Sequence, residues 1–191
     1  EDISLALRDL LIARKDLQIV FPVHLNPQVR ETVWSILDGL DRAYLTDPFD
    51  YLDFIHVMMS VDLIVTDSGG IQEEAPSLGK PVLVIRATTE RTEAIAAGTA
   101  RLVGTTRKNI VSAVSQLLDD QDEFARMKHA NNPYGDGHAA KRIVDSICYY
   151  FGRSTTRPEP FQTNSGVQSS QTNLECNTAL SHNSDKFICG F

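Results

Sequence analysis

Cysteine and positive charge are scarce in this 191-residue chain. Its three cysteines, Cys148, Cys176 and Cys189, form an odd set without ligand-like spacing, which argues against a zinc site or a disulfide framework and favours a reducing compartment. Eighteen Lys and Arg stand against 25 Asp and Glu, a formal charge of −7, so the basic face of a general nucleic-acid binder is not expected. No apolar segment approaches bilayer-spanning length and the first residues lack a signal-peptide pattern. These absences describe a soluble, cytoplasmic protein with neither nucleic acid nor membrane as partner. The hydrophobic fraction of 42% still supports a core, and the length fits one domain with a tail or one half of a larger enzyme.

What is present alternates between two periods. Leu5, Leu7, Leu10, Leu11 and Ile12 predict an amphipathic helix over residues 3–15, and 17–23 reads as a strand. Pro27 suits the first position of a helix capped by Asn26; Ala43 to Thr46 is a strand; residues 51–58 return to helical spacing. Strands at Leu63, at 81–85 and at 100–103 are separated by helices running to Leu78 and from Glu90, the latter capped by Thr89. Helical periods follow through Leu118, Met127 and Phe151. Nearly continuous apolar strands between helices predict a doubly wound, Rossmann-like α/β domain with a parallel sheet covered on both faces. We place it at residues 1–152. Eighteen of the 39 residues from 153 to 191 are Ser, Thr, Asn or Gln with no apolar period, so 153–191 is expected to be a disordered polar tail, its end at Lys186 to Phe191 a frayed terminus.

The most informative run is Thr66 to Pro76, where an apolar strand meets a Ser-Gly-Gly turn and a helix start. Gly69 and Gly70 allow backbone conformations closed to other residues and remove Cβ atoms from a ligand's path. Exposed N–H groups and aligned peptide dipoles at a helix start hold phosphate oxygens, and Ser68 can cap the helix or donate to a phosphate. Gln72, Glu73 and Glu74 follow at once, so at least one carboxylate must point away from an anion. Glu74 is placed to accept hydrogen bonds from ribose hydroxyls. Ordinary capping explains the same pattern equally well. The run is neither a Walker loop nor Gly-x-Gly-x-x-Gly. Ligands of doubly wound sheets bind beyond the strands' carboxyl ends, where His24, Asp47, Ser68 and Thr88 to Arg91 all fall.

Several words of the sequence, taken in order, resemble the non-hydrolysing UDP-N-acetylglucosamine 2-epimerases. They are Phe21-Pro22-Val23-His24-Leu25-Asn26-Pro27, Thr66 to Val84, Thr88-Thr89-Glu90-Arg91, Gly98-Thr99, Leu102 to Thr105, and Asn132-Pro133-Tyr134-Gly135-Asp136-Gly137. The resemblance covers residues 3–150 and implies the nucleotide-holding, C-terminal half of a two-domain GT-B architecture. The other half, with the family's lysine, its acidic residues and a His-Arg-Arg-Glu segment expected just before residue 1, is not in this sequence. The isolated chain is therefore expected to be inactive. The implied reaction interconverts UDP-N-acetylglucosamine and UDP-N-acetylmannosamine by elimination and re-addition of UDP, without metal or cofactor. By resemblance, Ser68, Gly69, Gly70 and Arg91 contact the diphosphate, Glu74 the ribose and Phe54 the uracil, with His24 near the cleft. A family glutamine near the base falls at Phe49, so that contact departs from the pattern. The expected partners are UDP-N-acetylglucosamine and UDP, with a homodimer in the full-length protein.

Two other readings stay open. The donor half of a GT-B glycosyltransferase also sets a helix start on a diphosphate and a glutamate on a ribose, and a truncated, non-catalytic module would bind UDP without turnover. From pattern alone Phe54 reads first as a core residue of its helix, and the alternative for His24 is a cap of the Pro27 helix. Asp67 reads as a turn former, and His56, His129, His138 and His182 as surface or packing residues.

Overall fold

The computed structural model describes residues 1–161 and 185–190. Six strands form one sheet: β1 (Leu17–Pro22), β2 (Ala43–Thr46), β3 (Leu63–Thr66), β4 (Val82–Val84), β5 (Ala100–Leu102) and β6 (Lys186–Gly190). Their spatial order is β2-β1-β6-β3-β4-β5, and every neighbouring pair is parallel. Eight helices connect or flank them: α1 (Asp2–Ala13), α2 (Pro27–Leu37), α3 (Tyr51–Ser60), α4 (Gly69–Glu74), α5 (Thr92–Ala97), α6 (Arg107–Asp119), α7 (Gln121–Lys128) and α8 (Ala139–Tyr150). This is the expected Rossmann-like, doubly wound α/β arrangement.

Alternation along the strands builds two cores. Leu63, Val65, Ile19 and Ile188 face Leu7, Leu10, Ile110, Val114 and Leu117 of α1 and α6, all essentially inaccessible to water. Ile64, Val82, Val84 and Cys189 face Met58, Ile71, Ala75 and Ala94 of the opposite layer. Burial on both faces explains why these strands read as continuous apolar runs.

Most element boundaries fall within two or three residues of the expected ones; three differences are informative. Pro76 has no N–H to continue the helix, so α4 tightens into a 3₁₀ turn over Ala75–Leu78 that ends on Gly79 at φ 64°. Helix α5 starts at Thr92 instead of Glu90 because the Thr89 hydroxyl accepts the Arg91 N–H at 3.1 Å, making a turn rather than a cap. The third difference is larger and corrects the expected tail. Lys186–Gly190 is not frayed: it is a strand between β1 and β3, with Ile188 and Cys189 fully buried. Its five residues are too few to show a period in sequence, and its partners lie more than 120 residues away. The remainder of the expected tail, 162–184, and Phe191 lie outside the described residues. Burial holds the Cys189 thiol well above its ordinary pKa, and Cys148 and Cys189 are unpaired. Helix α8 forms as expected, but Ile143, Val144 and Ile147 on its apolar side are more than half exposed.

Arg42 fixes the entry to β2. It is the one non-glycine residue at positive φ (68°) among the described residues. Its guanidinium donates to the carbonyls of Leu11 (2.7 Å), Arg14 (2.7 Å) and Leu17 (2.8 Å). A cation on carbonyls at the end of α1 also complements the helix dipole. Arg42→Ala removes the donor from three carbonyls, so a loss of about 2–3 kcal/mol is expected, read as a lower urea midpoint at unchanged slope.

Candidate functional site

The sheet reverses its winding beside β6: from β1 the chain moves outward to β2, then crosses to β3 on the other side. Such a switch point leaves a crevice at the carboxyl ends of the strands. A cavity of ≈ 590 Å³ lies there. Phe21 and Pro22 end β1 on its floor, Phe49 and Phe54 supply aromatic walls, and His24, Asp67 and Ser68 bring polar groups to its rim. Large, planar apolar walls with a few polar groups at one end suit a flat heterocycle carrying an anionic extension.

Ser68 closes the loop after β3. The Thr66 hydroxyl accepts the Ser68 N–H at 2.9 Å, and Ser68 occupies the cap position of α4 without a side-chain hydrogen bond to the helix. Capping, the competing account of this hydroxyl, is therefore not what it does here. The first turn of α4 carries N–H groups with no intrahelical acceptor, as every helix start does. Gly69 and Gly70 differ from expectation in one respect. Both are in ordinary helical conformation, absent from the positive-φ residues, so glycine is not required there for its backbone freedom. At Gly69 the missing side chain leaves room for Arg91: a Cβ would lie 3.1 Å from Cζ and from one terminal nitrogen, so the end of that side chain would have to give by a few tenths of an ångström. Gly70 is exposed and would meet only the Ser68 hydroxyl, at 3.9 Å.

The acidic first turn is resolved by pairing. Glu73 accepts from Arg91 Nε at 2.8 Å, and Glu90 accepts from another Arg91 nitrogen at 2.5 Å. The guanidinium is thus held across Gly69 with its charge shared by two carboxylates, and it is more firmly protonated chiefly through the Glu73 hydrogen bond. Glu74 is half-buried and turned toward the start of α3, where its negative charge raises the pKa of the exposed Tyr51 hydroxyl. Ser68, Phe54 and His24 border the cavity itself, while Gly69, Gly70, Arg91 and Glu74 lie along the α4 turn beside it. Phe54 packs on the core around Met58 and also lines the cavity. His24 does not cap α2: its Nδ1 accepts the Asn26 N–H at 3.1 Å, and its ring borders the cavity. Asn26 in turn caps α2 by accepting the Gln28 N–H at 3.0 Å.

Sequence reasoning missed Gln72. It is completely buried and bridges two loops: its amide nitrogen donates to the Ser68 carbonyl at 3.1 Å, and its amide oxygen accepts from the Thr89 hydroxyl at 2.8 Å. Because Thr89 also accepts the Arg91 N–H, one chain of bonds runs from the Ser68 turn to the Arg91 backbone. A single sequence gives no signal for a contact across 17 residues between two loops. Gln72→Leu breaks both bonds and strands the Thr89 hydroxyl, so about 1–3 kcal/mol of stability should be lost in denaturant titration, with faster hydrogen exchange at the Ser68–Gly70 amides.

Comparison with known proteins adds identity. The profile of the UDP-N-acetylglucosamine 2-epimerase family matches residues 1–148. The Escherichia coli K12 UDP-N-acetylglucosamine 2-epimerase is 56% identical over 147 residues, covering 77% of this chain and 39% of its own. The Bacillus subtilis enzyme of that name is 47% identical over 161 residues, covering 84% and 42%. The chain therefore spans about two-fifths of the length of these relatives. Among solved structures, the Staphylococcus aureus MnaA–UDP co-structure is 46% identical with a TM-score of 0.80, covering 84% of this chain and 44% of that one. The Neisseria meningitidis UDP-GlcNAc 2-epimerase bound to UDP-GlcNAc is 44% identical with a TM-score of 0.74, covering 78% and 40%. With a family profile matched along most of its length and relatives near half identical, the chain belongs to the UDP-N-acetylglucosamine 2-epimerase family.

Proposed function

We propose that this chain is the UDP-binding half of a UDP-N-acetylglucosamine 2-epimerase of GT-B architecture. The observation that carries the reading is the cavity at the switch point, aromatic at one end and bordered by the Ser68 turn at the other, in a chain similar to enzymes solved with UDP or UDP-GlcNAc. In this reading uracil lies between Phe49 and Phe54, the ribose hydroxyls reach Glu74, and the diphosphate rests on Ser68 and the amides of Gly69 and Gly70. Phe49 then supplies an apolar face to the base where the family pattern has a glutamine.

Elimination builds negative charge on the departing UDP as the C1–O bond breaks and the C2 proton leaves. Donors already oriented at the β-phosphate gain strength in that transition state, each worth on the order of 3 kcal/mol in a closed site. The Ser68 hydroxyl is free of any cap bond, so it can donate without first breaking one. Arg91 contributes its charge from behind Gly69, where the one guanidinium nitrogen not held by Glu73 or Glu90 can turn toward the anion. Re-addition of the same UDP at C1, once a proton has been delivered to the other face of C2, requires that UDP stay bound, which a site gripping base, ribose and diphosphate together provides. The groups that move the C2 proton belong to the remaining three-fifths of the full-length relatives. This chain by itself is accordingly expected to hold UDP without turnover, and a homodimer belongs to the full-length enzyme.

Titration calorimetry of the chain with UDP, UMP and uridine tests the reading. UDP should bind most tightly, Ser68→Ala and Glu74→Ala should each weaken it by tenfold or more, and Glu74→Ala should also weaken uridine. Equal affinity for UDP and uridine would remove the diphosphate from the Ser68 turn. Epimerisation by the 191-residue chain alone would overturn its assignment as a binding half.

A further inference from the structure

A doubly wound sheet built from two three-stranded halves has the order 3-2-1-4-5-6, and each right-handed crossover places a helix between neighbouring parallel strands. In this molecule β1 to β5 fill places 2 to 6 in that order, and β6 fills place 1. Place 1 is the position from which a right-handed crossover leads through α1 into β1. The strand there reaches it instead from the opposite end of the sequence, beyond α8.

The fit is specific. Phe187 and Cys189 enter the α3-side core while Ile188 enters the α1-side core, the alternation the slot demands. Both neighbours pair with it in register, Ile19 and Leu63 opposite Ile188, and β1 and β3 do not pair with each other. Side chains and backbone on both flanks seat its entry. The Asp62 carboxylate accepts the Phe187 N–H at 2.9 Å, Gln18 donates to Asp185 at 3.1 Å, and the Asp16 carbonyl accepts the Lys186 N–H at 2.6 Å. Its exit lies under α1 and the cavity floor, since a Cβ on Gly190 would meet Leu7 at 3.5 Å and Phe21 at 3.8 Å.

We propose that the gap between β1 and β3 is a strand-acceptor site that Lys186–Gly190 occupies in place of the strand whose crossover enters α1. What the site recognises is a short parallel strand with apolar residues alternating to both faces, independent of the end of the chain that supplies it. A strand leading into Glu1 and the segment Lys186–Gly190 therefore exclude each other. Because no hydrogen bond of the sheet joins the β2-β1 pair to β3-β4-β5 directly, the occupant also decides whether the two sides of the cavity, Phe21 and Phe49 on one and Ser68 on the other, are held together.

Three proteins test this: the full chain, a chain ending at Phe161, and a permuted chain in which Asp185–Phe191 is joined by a short Gly/Ser linker ahead of Glu1 and the sequence ends at Phe161. Thermal unfolding followed by circular dichroism, with size-exclusion chromatography alongside, gives the readout. The chain ending at Phe161 should melt lower than the full chain by on the order of 10 °C, or self-associate through its open strand edges. The permuted chain should recover a monomer with a midpoint near that of the full chain, and Ile188→Asp within it should abolish the recovery. A permuted chain that melts no higher than the chain ending at Phe161, or a recovery that survives Ile188→Asp, overturns the proposal.

Discussion

Peptide groups in the middle of a buried sheet have only other strands to satisfy them, and that constraint governs this molecule. The facing edges of β1 and β3 are separated by the width of one strand, and both sit beneath helices that keep water out. Leaving either edge open would strand several donors and acceptors at a cost of about 1–3 kcal/mol each. A five-residue segment with favourable alternation answers that demand even though it is far away in sequence. Its entropic handicap grows only slowly with the length of the connection, because loop closure depends on the logarithm of loop size. The sheet then has the strand order that creates a crevice at its switch point, and the cavity follows from the order.

Within that crevice the chemistry is arranged by loops tied to one another instead of by loops tied to the core. The Ser68 turn is held from below by Thr66 and from the side by Gln72, and Gln72 carries the tie on to Thr89 and the Arg91 backbone. Gly69 completes the arrangement by leaving space for the Arg91 guanidinium. An alanine there would not disturb the helix, which has ordinary dihedrals. It would shift the end of the Arg91 side chain by a few tenths of an ångström. Glycine at this position leaves the guanidinium room to lie across the turn, and the carboxylates of Glu73 and Glu90 hold it beside an otherwise acidic helix start.

The doubly wound class and the position of the turn were legible because both depend on local signals. Apolar runs of strand length between helical periods identify a covered parallel sheet, and Ser-Gly-Gly after Leu63-Ile64-Val65 marks a strand-to-helix turn. The two contacts that were illegible are both non-local. Gln72 looks like any polar residue in a first helical turn, and only the fold shows that it is completely buried between loops. Lys186–Gly190 sits at the end of a polar stretch, and the composition of that stretch outweighed five residues whose alternation is meaningful only once a gap of matching width exists. The orientation of α8 is a third case. Its period correctly gave a helix, yet periodicity reports that a face is apolar, not that this chain covers it, and Ile143, Val144 and Ile147 are exposed.

The state of Arg91 links the site's geometry to the reaction proposed for it. A guanidinium paired with two carboxylates carries a net charge of about −1 as a local group, so the group by itself does not attract a passing anion. In the function proposed above, a diphosphate at the Ser68 turn would change the balance, because two negative charges within a few ångströms of the guanidinium would compete with Glu73 and Glu90 for the same nitrogens. The attraction increases further as bond breaking moves charge onto the leaving oxygen. Under that proposal an arginine restrained this way would favour the transition state over the resting ligand, which is the condition for an interaction to raise rate instead of merely tightening binding. Of the two carboxylates that appeared in sequence to oppose an anion at this helix, Glu73 is paired with Arg91 and Glu74 is turned toward Tyr51, so neither faces the Ser68 turn as an unpaired charge.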